Sequence, residues 1–427
     1  MKKWLEKYFD FKIGTFLYFG IALATAVINY LYQVYLGNRL SVSNYGIFNT
    51  LYSFCVNFSS FYSPIVVYFC CVVAENEGHL SKISEIVKGI SRFGILLSII
   101  VSSIITIMIL WGKSSGFRMK SSEAILLIII AIVSSGFCNV MISGVQGTSK
   151  VVVFGILSFM TVALKFLFSV IGIQLANLPE IPIIAFFMSN SICGLLAICV
   201  LNYLRKKEVE DHVNSPRFDL PRLLGFYGKT FFINILYSFY VNGGEVLLLS
   251  NRYDSEEVGT YSLIITIAKS SIYLCSMFAT IMLPRFAHNK NKTRENSTKY
   301  YGIMALSFGI GGAWIVFLKV LGIRIIPMLF GKGYADVLPY VSYVSIWVIF
   351  LGMLCMTNAY HMGTDNLNRY FVVLAAVSLL MYSIFQYGNI SFWHTPILFG
   401  TGTAVIVGWS LLDTAIRGNK QVNENCE

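Results

Sequence analysis

Charge is what this chain has least of. Of its 427 residues only 12% are Asp, Glu, Lys or Arg, about half the share of an ordinary soluble domain. Nowhere do they gather into a polar stretch long enough to fold apart from the rest. That shortage excludes a water-soluble enzyme or binding module. Reactive chemistry is also scarce. The nine cysteines lie in apolar runs apart from Cys426, with no CxxC pair and no Cys/His cluster at metal-ligand spacing. They read as small packing residues, so neither a metal nor a cofactor is expected. The five histidines, His79, His212, His288, His361 and His394, fall mainly in or beside loops. No phosphate-binding Walker pattern and no HExxH occurs, so ATP hydrolysis by this chain is not expected.

What the chain has in quantity is apolar length. The hydrophobic share is 56%, the mean hydropathy is +0.68, and runs of the ~20 residues a helix needs to cross a bilayer recur throughout. Twelve spans can be drawn, at 14–36, 46–74, 88–111, 123–145, 151–174, 181–204, 222–250, 258–283, 300–323, 337–362, 370–388 and 393–416. The expected fold is an all-α polytopic membrane protein. Met1-Lys2-Lys3 precedes an apolar run, yet that run is too long for a signal peptide and no small-residue cleavage site follows it.

The net charge of +11 would suit a nucleic-acid partner, but its placement argues against one. With the N-terminus in the cytoplasm, 21 of the 32 Lys and Arg fall on the cytoplasmic side and 8 on the other, while Lys165, Lys229 and Lys269 lie within spans. This is the positive-inside bias, with both termini inside; Gly112 to Ser122, with three basic residues outside, runs against it. No nucleic acid is expected, and the bilayer is the partner. The basic loop that follows Pro284 and the most polar connection, Arg205 to Pro221, suit anionic lipid.

That connection divides the chain near its middle, into bundles of residues 1–212 and 213–427. The halves resemble each other at one place. Asn29, Asn38, Arg39 and Gly46 return 213 residues later as Asn242, Asn251, Arg252 and Gly259, each set at the exit of one span and the start of the next. Six spans before the divide give both halves the same orientation, a repeat arrangement that transporters use to build a central site.

Ionisable groups inside spans mark function by default, because burying them in hydrocarbon costs several kcal/mol. Lys165 lies mid-span in Val162-Ala163-Leu164-Lys165-Phe166-Leu167, with no acidic residue within one helical turn. It reads as a cavity-facing cation or as half of an interhelical pair. Glu245, after Asn242-Gly243-Gly244, is the one carboxylate well inside a span; it either pairs with Lys269 or Lys165 or carries a coupling proton or sodium ion. Lys229 is placed to snorkel or to face the cavity. Arg39 and Arg252 sit at the external mouths as interfacial anchors or as an exit-side anion site. Asn29 and Asn242 are cavity polar candidates, within a wider set of amides that includes Gln33, Asn57, Asn139, Asn190, Asn234 and Asn358. Some of these bridge helices. Pro64 is expected to bend span two. Three cations against one anion suit an anionic substrate, since a low dielectric strengthens each contact.

Four short stretches carry a family resemblance. Arg39-Leu40-Ser41-Val42-Ser43-Asn44-Tyr45-Gly46-Ile47-Phe48 and Glu256-Glu257-Val258-Gly259-Thr260-Tyr261-Ser262-Leu263 resemble the first external turn of each half of polysaccharide transport proteins. Leu283-Pro284-Arg285 and Leu329-Phe330-Gly331-Lys332-Gly333-Tyr334 resemble the end of their eighth helix and their ninth-to-tenth turn. The chain is most similar to the O-antigen flippases (Wzx-type) of the multidrug/oligosaccharidyl-lipid/polysaccharide exporter superfamily. The resemblance implies two six-helix bundles around a central cavity. It also implies alternating-access movement of an undecaprenyl-pyrophosphate-linked oligosaccharide to the periplasmic leaflet of a bacterial inner membrane, alongside other polysaccharide assembly proteins. It carries over the acidic position at Glu245; the cationic set is read from the residues alone. Two alternatives stay open. A drug or cation exporter of the same superfamily should show a more acidic membrane interior. A polymerase or ligase of polysaccharide assembly should show a larger external loop. A lipid II flippase would need two further helices.

Overall fold

The computed structural model describes residues 13–75, 84–112, 122–148, 150–176, 178–207, 220–288, 293–330, 338–364, 366–388, 390 and 394–424. Every element among the described residues is helical, because a chain in hydrocarbon must satisfy its backbone polar groups internally. The helices are α1 (Ile13–Arg39), α2 (Val42–Ser59), α3 (Ser63–Glu75), α4 (Ser84–Gly112), α5 (Ser122–Gly147), α6 (Val151–Leu175), α7 (Ile181–Lys207) and α8 (Leu220–Val241). They continue with α9 (Gly244–Ser250), α10 (Ser255–Ala268), α11 (Ser270–His288), α12 (Thr293–Phe330), α13 (Leu338–Thr364), α14 (Leu367–Tyr387) and α15 (Thr395–Glu424).

Nine spans among the described residues are long and apolar enough to cross a membrane, eleven when two bent helix pairs each count as one. With α4 they occupy all twelve stretches drawn from the sequence. The protein is a multi-pass membrane protein. The Arg205 to Pro221 connection lies largely outside the described residues, as does most of the Gly112 to Ser122 loop.

Sequence explains one interruption. Span two runs through a 3-10 turn, Ser60–Tyr62, before α3 begins at Ser63. Pro64 sits in the first turn of α3, where its missing N–H costs nothing. The other two breaks fall in stretches drawn as continuous. α8 and α9 meet at 69°, and α10 and α11 meet at 55° around Lys269. Gly243 makes the first break with φ of 81°, a left-handed conformation that only glycine adopts freely.

The residues form two compact units, Phe11–Tyr32 with Arg39–Gly259, and Gln33–Asn38 with Thr260–Glu427. This packing division falls after span seven, whereas the expected division into bundles lies at 212. In the first unit α5 packs on α7, α3 and α2, and α3 packs on α8. In the second, α13 is central, with 78% of its spanning window buried, and it packs on α11, α12 and α15. α6 and α14 are peripheral, with only 17% and 22% buried. Their outward residues are apolar, Leu167 and Ile171 on α6 and Leu379 and Leu380 on α14, the surface that lipid tails wet.

The duplicated turns meet inside the first unit. A Cβ on Gly46 would strike the Ser255 carbonyl oxygen, and a Cβ on Gly259 would strike the Val42 carbonyl oxygen. Val42 and Ser255 are separated by the same 213 residues as the two glycines. The contact is therefore reciprocal, as between two copies related by a two-fold axis. Ser43 and Ser255 close it with a hydroxyl pair at 2.7 Å.

Candidate functional site

The site begins with a cation carried in the middle of an apolar helix. α6 is apolar along its length and crosses the membrane with Lys165 near its middle. Only 4% of that residue is exposed. Its Nζ donates to Asn29 Oδ1 of α1 at 3.0 Å. It stands 4.4 Å from the Tyr32 ring centroid and 5.2 Å from that of Tyr52. Asn29 and Tyr32 are three apart on α1 and so share a face; Tyr52 comes from α2. The rings are held in turn, Tyr32 edge-on to Phe48 and Phe166, and Tyr52 against Phe48 and Phe186.

No carboxylate among the described residues pairs with Lys165, so the Glu245–Lys165 pair is not formed. An ammonium has three donors. Here one meets an amide oxygen and the others face aromatic rings, which attract a cation through their quadrupole. All three partners are neutral. The charge is solvated but not balanced, and the group this arrangement would accept is an anion.

The second element is the broken span. Asn57 of α2 donates through Nδ2 to the Asn242 carbonyl at 3.1 Å and to its own Ser53 carbonyl at 2.8 Å. Asn242 Nδ2 donates to Ser238 Oγ at 2.8 Å, and Ser238 Oγ reaches Asn57 Oδ1 at 3.4 Å. Asn57 thus staples the unwound turn of span seven to span two. Glu245, wholly buried, lies in the first turn beyond the break. Asn242 and Glu245 thus flank one discontinuity in span seven, where backbone is unwound.

The remaining expected residues belong to other elements. Lys269 lies in the second unit, in the bend between α10 and α11, with Nζ 5.0 Å from the buried Trp347 ring. Arg39 and Arg252 are exposed at the ends of α1 and α9. The Lys229 side chain falls outside the described residues. Several amides bond their own helix: Asn57, Asn190 and Asn234 each donate to the carbonyl four residues back. That local acceptor is always within reach and needs no partner helix.

Sequence reading missed a cluster in the second unit. His361, wholly buried, shares a 2.7 Å hydrogen bond with Ser410 Oγ, which bonds Tyr300 at 2.9 Å. Asp413, one turn beyond Ser410, is ion-paired with Arg417 at 2.9 Å and accepts hydrogen bonds from Arg369 at 3.3 Å and Asn366 at 3.0 Å. Its signal was the spacing of Asp413 and Arg417 four apart on one helix face.

A family model described as polysaccharide biosynthesis protein matches residues 81–339, more than half of the chain. The chain belongs to that family. No curated protein matches this polysaccharide biosynthesis protein, but 28 chains of solved structures do. A multidrug resistance MATE-family transporter of the MOP superfamily, outward-facing, is 14% identical with a TM-score of 0.67, covering 95% of this chain and 94% of its own. The inward-facing form of such a transporter is 13% identical, with a TM-score of 0.63 and coverage of 95% and 98%. A MOP-superfamily transporter from Pyrococcus furiosus is 15% identical, with a TM-score of 0.66 and coverage of 95% and 94%. That transporter is described as having a binding pocket of reverse polarity that suggests a different function. The fold of this family member is the MOP transporter fold.

Proposed function

We propose that the protein is a flippase. It moves an undecaprenyl-pyrophosphate-linked oligosaccharide, an O-antigen or similar surface polysaccharide repeat unit, from the cytoplasmic to the periplasmic leaflet of a bacterial inner membrane. Both termini are cytoplasmic in this reading, and the chain performs no covalent chemistry. The observation that carries it is the buried, unbalanced ammonium of Lys165. A multidrug exporter of cations would have its charge reversed there. At an effective dielectric of about 20, one phosphate charge 4 Å from Lys165 gains roughly 4 kcal/mol. Membership of a polysaccharide biosynthesis family supports a sugar cargo, and the pocket of reverse polarity described for a structural neighbour supports a variation of pocket polarity on this fold.

The mechanism is alternating access, since fold neighbours occur in outward-facing and inward-facing forms. Lys165 holds the pyrophosphate during transit, with Lys269 and Lys229 as further cations along the route and Arg39 and Arg252 at the exit. The lipid tail stays in the bilayer. Asn29 and Asn242 supply polar contacts, and Glu245 takes up the coupling proton or sodium ion.

The test is a deletion strain with sugar assembly intact, in which lipid-linked repeat units are quantified on each leaflet. Complete units accumulating on the cytoplasmic face, and cleared by restoring this chain, establish the flippase. Units that reach the periplasmic face yet fail to polymerise or transfer make it an assembly enzyme. Normal polymer with no accumulation makes it a drug or ion exporter.

A further inference from the structure

We infer that Asn29 is a neutral stand-in for the substrate, an amide oxygen that holds Lys165 until an anionic oxygen displaces it. This rests on the reading of Lys165 as an anion-binding cation. The argument starts from the cost of leaving that ammonium bare: a buried charge with no acceptor is far less stable than one with a hydrogen bond. Among the described residues, Asn29 Oδ1, at 3.0 Å, is the oxygen acceptor of Nζ. Being uncharged, it gains far less from Lys165 than a phosphate oxygen would at the same distance, because charge-assisted bonds between two ions are the stronger class.

The rings complete the device. Tyr32 and Tyr52 flank Nζ at 4.4 and 5.2 Å and stay attractive whether Asn29 or an anion takes the remaining direction. An Asp at position 29 would pair with Lys165 permanently and close the site to anions. The neutral side chain leaves the charge of Lys165 unspent, and the selectivity of the site for anions follows from that neutrality. Asn29 is a positioning residue, acting on substrate through Lys165.

The experiment measures binding of inorganic pyrophosphate to the purified full-length chain in detergent, comparing wild type with Asn29→Ala, Asn29→Asp and Lys165→Gln. Removing the competitor in Asn29→Ala is expected to tighten binding about tenfold, which corresponds to ~1.4 kcal/mol. Asn29→Asp is expected to weaken it by at least about tenfold, and Lys165→Gln to abolish it. Asn29→Ala binding no tighter than wild type overturns the inference, because a structural residue or a direct substrate ligand would lose affinity in both variants. Pyrophosphate binding that is absent, or indifferent to Lys165→Gln, overturns the anion-site reading itself and this inference with it. The two failures are thereby told apart.

Discussion

Lys165 carries an energetic cost, and its replacement separates function from stability. Taking a charge out of water is costly, and an apolar side chain of similar length avoids that cost. Lys165→Met is therefore expected to leave the protein at least as resistant to heat in detergent, while export of polysaccharide falls by more than about tenfold, the equivalent of ~1.4 kcal/mol. Wild-type export from a stable Lys165→Met protein would end the anion-site reading. Asp413 behaves in the opposite way. It is nearly buried, pairs with Arg417 and accepts hydrogen bonds from Arg369 and Asn366, although Arg369 is largely exposed and its share is screened. Asp413→Asn is expected to destabilise the protein by about 2 kcal/mol, read as a lower melting temperature in detergent, because it leaves Arg417 without its carboxylate. Sequence made Lys165 visible as a lone cation in an apolar run. It did not show the partners, because Asn29 is 136 residues away and nothing local ties the two together.

Among the elements, the spans were legible because an 18-residue apolar stretch in lipid has no competing fate. The breaks were not. Pro64 announced its own turn, whereas the kink at Gly243 depends on Asn57 reaching across from α2 to a carbonyl that the helix gave up. A tertiary bond decides it. The duplicated turns were legible as a pattern, but their mutual contact was not. Gly46→Val and Gly259→Val are each expected to lower the amount of folded protein in the membrane sharply, since the obstruction is backbone and cannot swing aside. Ser43→Cys with Ser255→Cys gives a gentler probe. Their hydroxyls stand 2.7 Å apart, which places the Cβ atoms near the ~3.5–4.5 Å that a disulfide requires. Oxidation should link them, with the joined peptides found by non-reducing mass spectrometry. Absence of the link under oxidant would contradict the contact.

That same contact fixes the parity of the crossings between the two turns. Two turns that touch lie on one face of the membrane, so the chain between Gly46 and Gly259 must cross an even number of times; an odd number would put them apart by the hydrocarbon thickness of about 30 Å. The intervening segments are α2 with α3, α4, α5, α6, α7, and α8 with α9. Six crossings result only if the bent pair α8 and α9 traverses as one broken span. Were that pair a re-entrant loop, five crossings would remain and the contact could not form. In the proposed orientation, with most Lys and Arg inside, the duplicated turns lie outside. Single cysteines at the exposed positions Asn38 and Asn251 should accordingly react with a membrane-impermeant maleimide in intact cells, both to a similar extent, while a fluorescent protein fused to the C-terminus folds in the cytoplasm. Labelling of both only after permeabilisation would invert the orientation and keep the parity. Labelling of one without the other would break the parity itself, and with it the reading of two halves that enter the membrane alike.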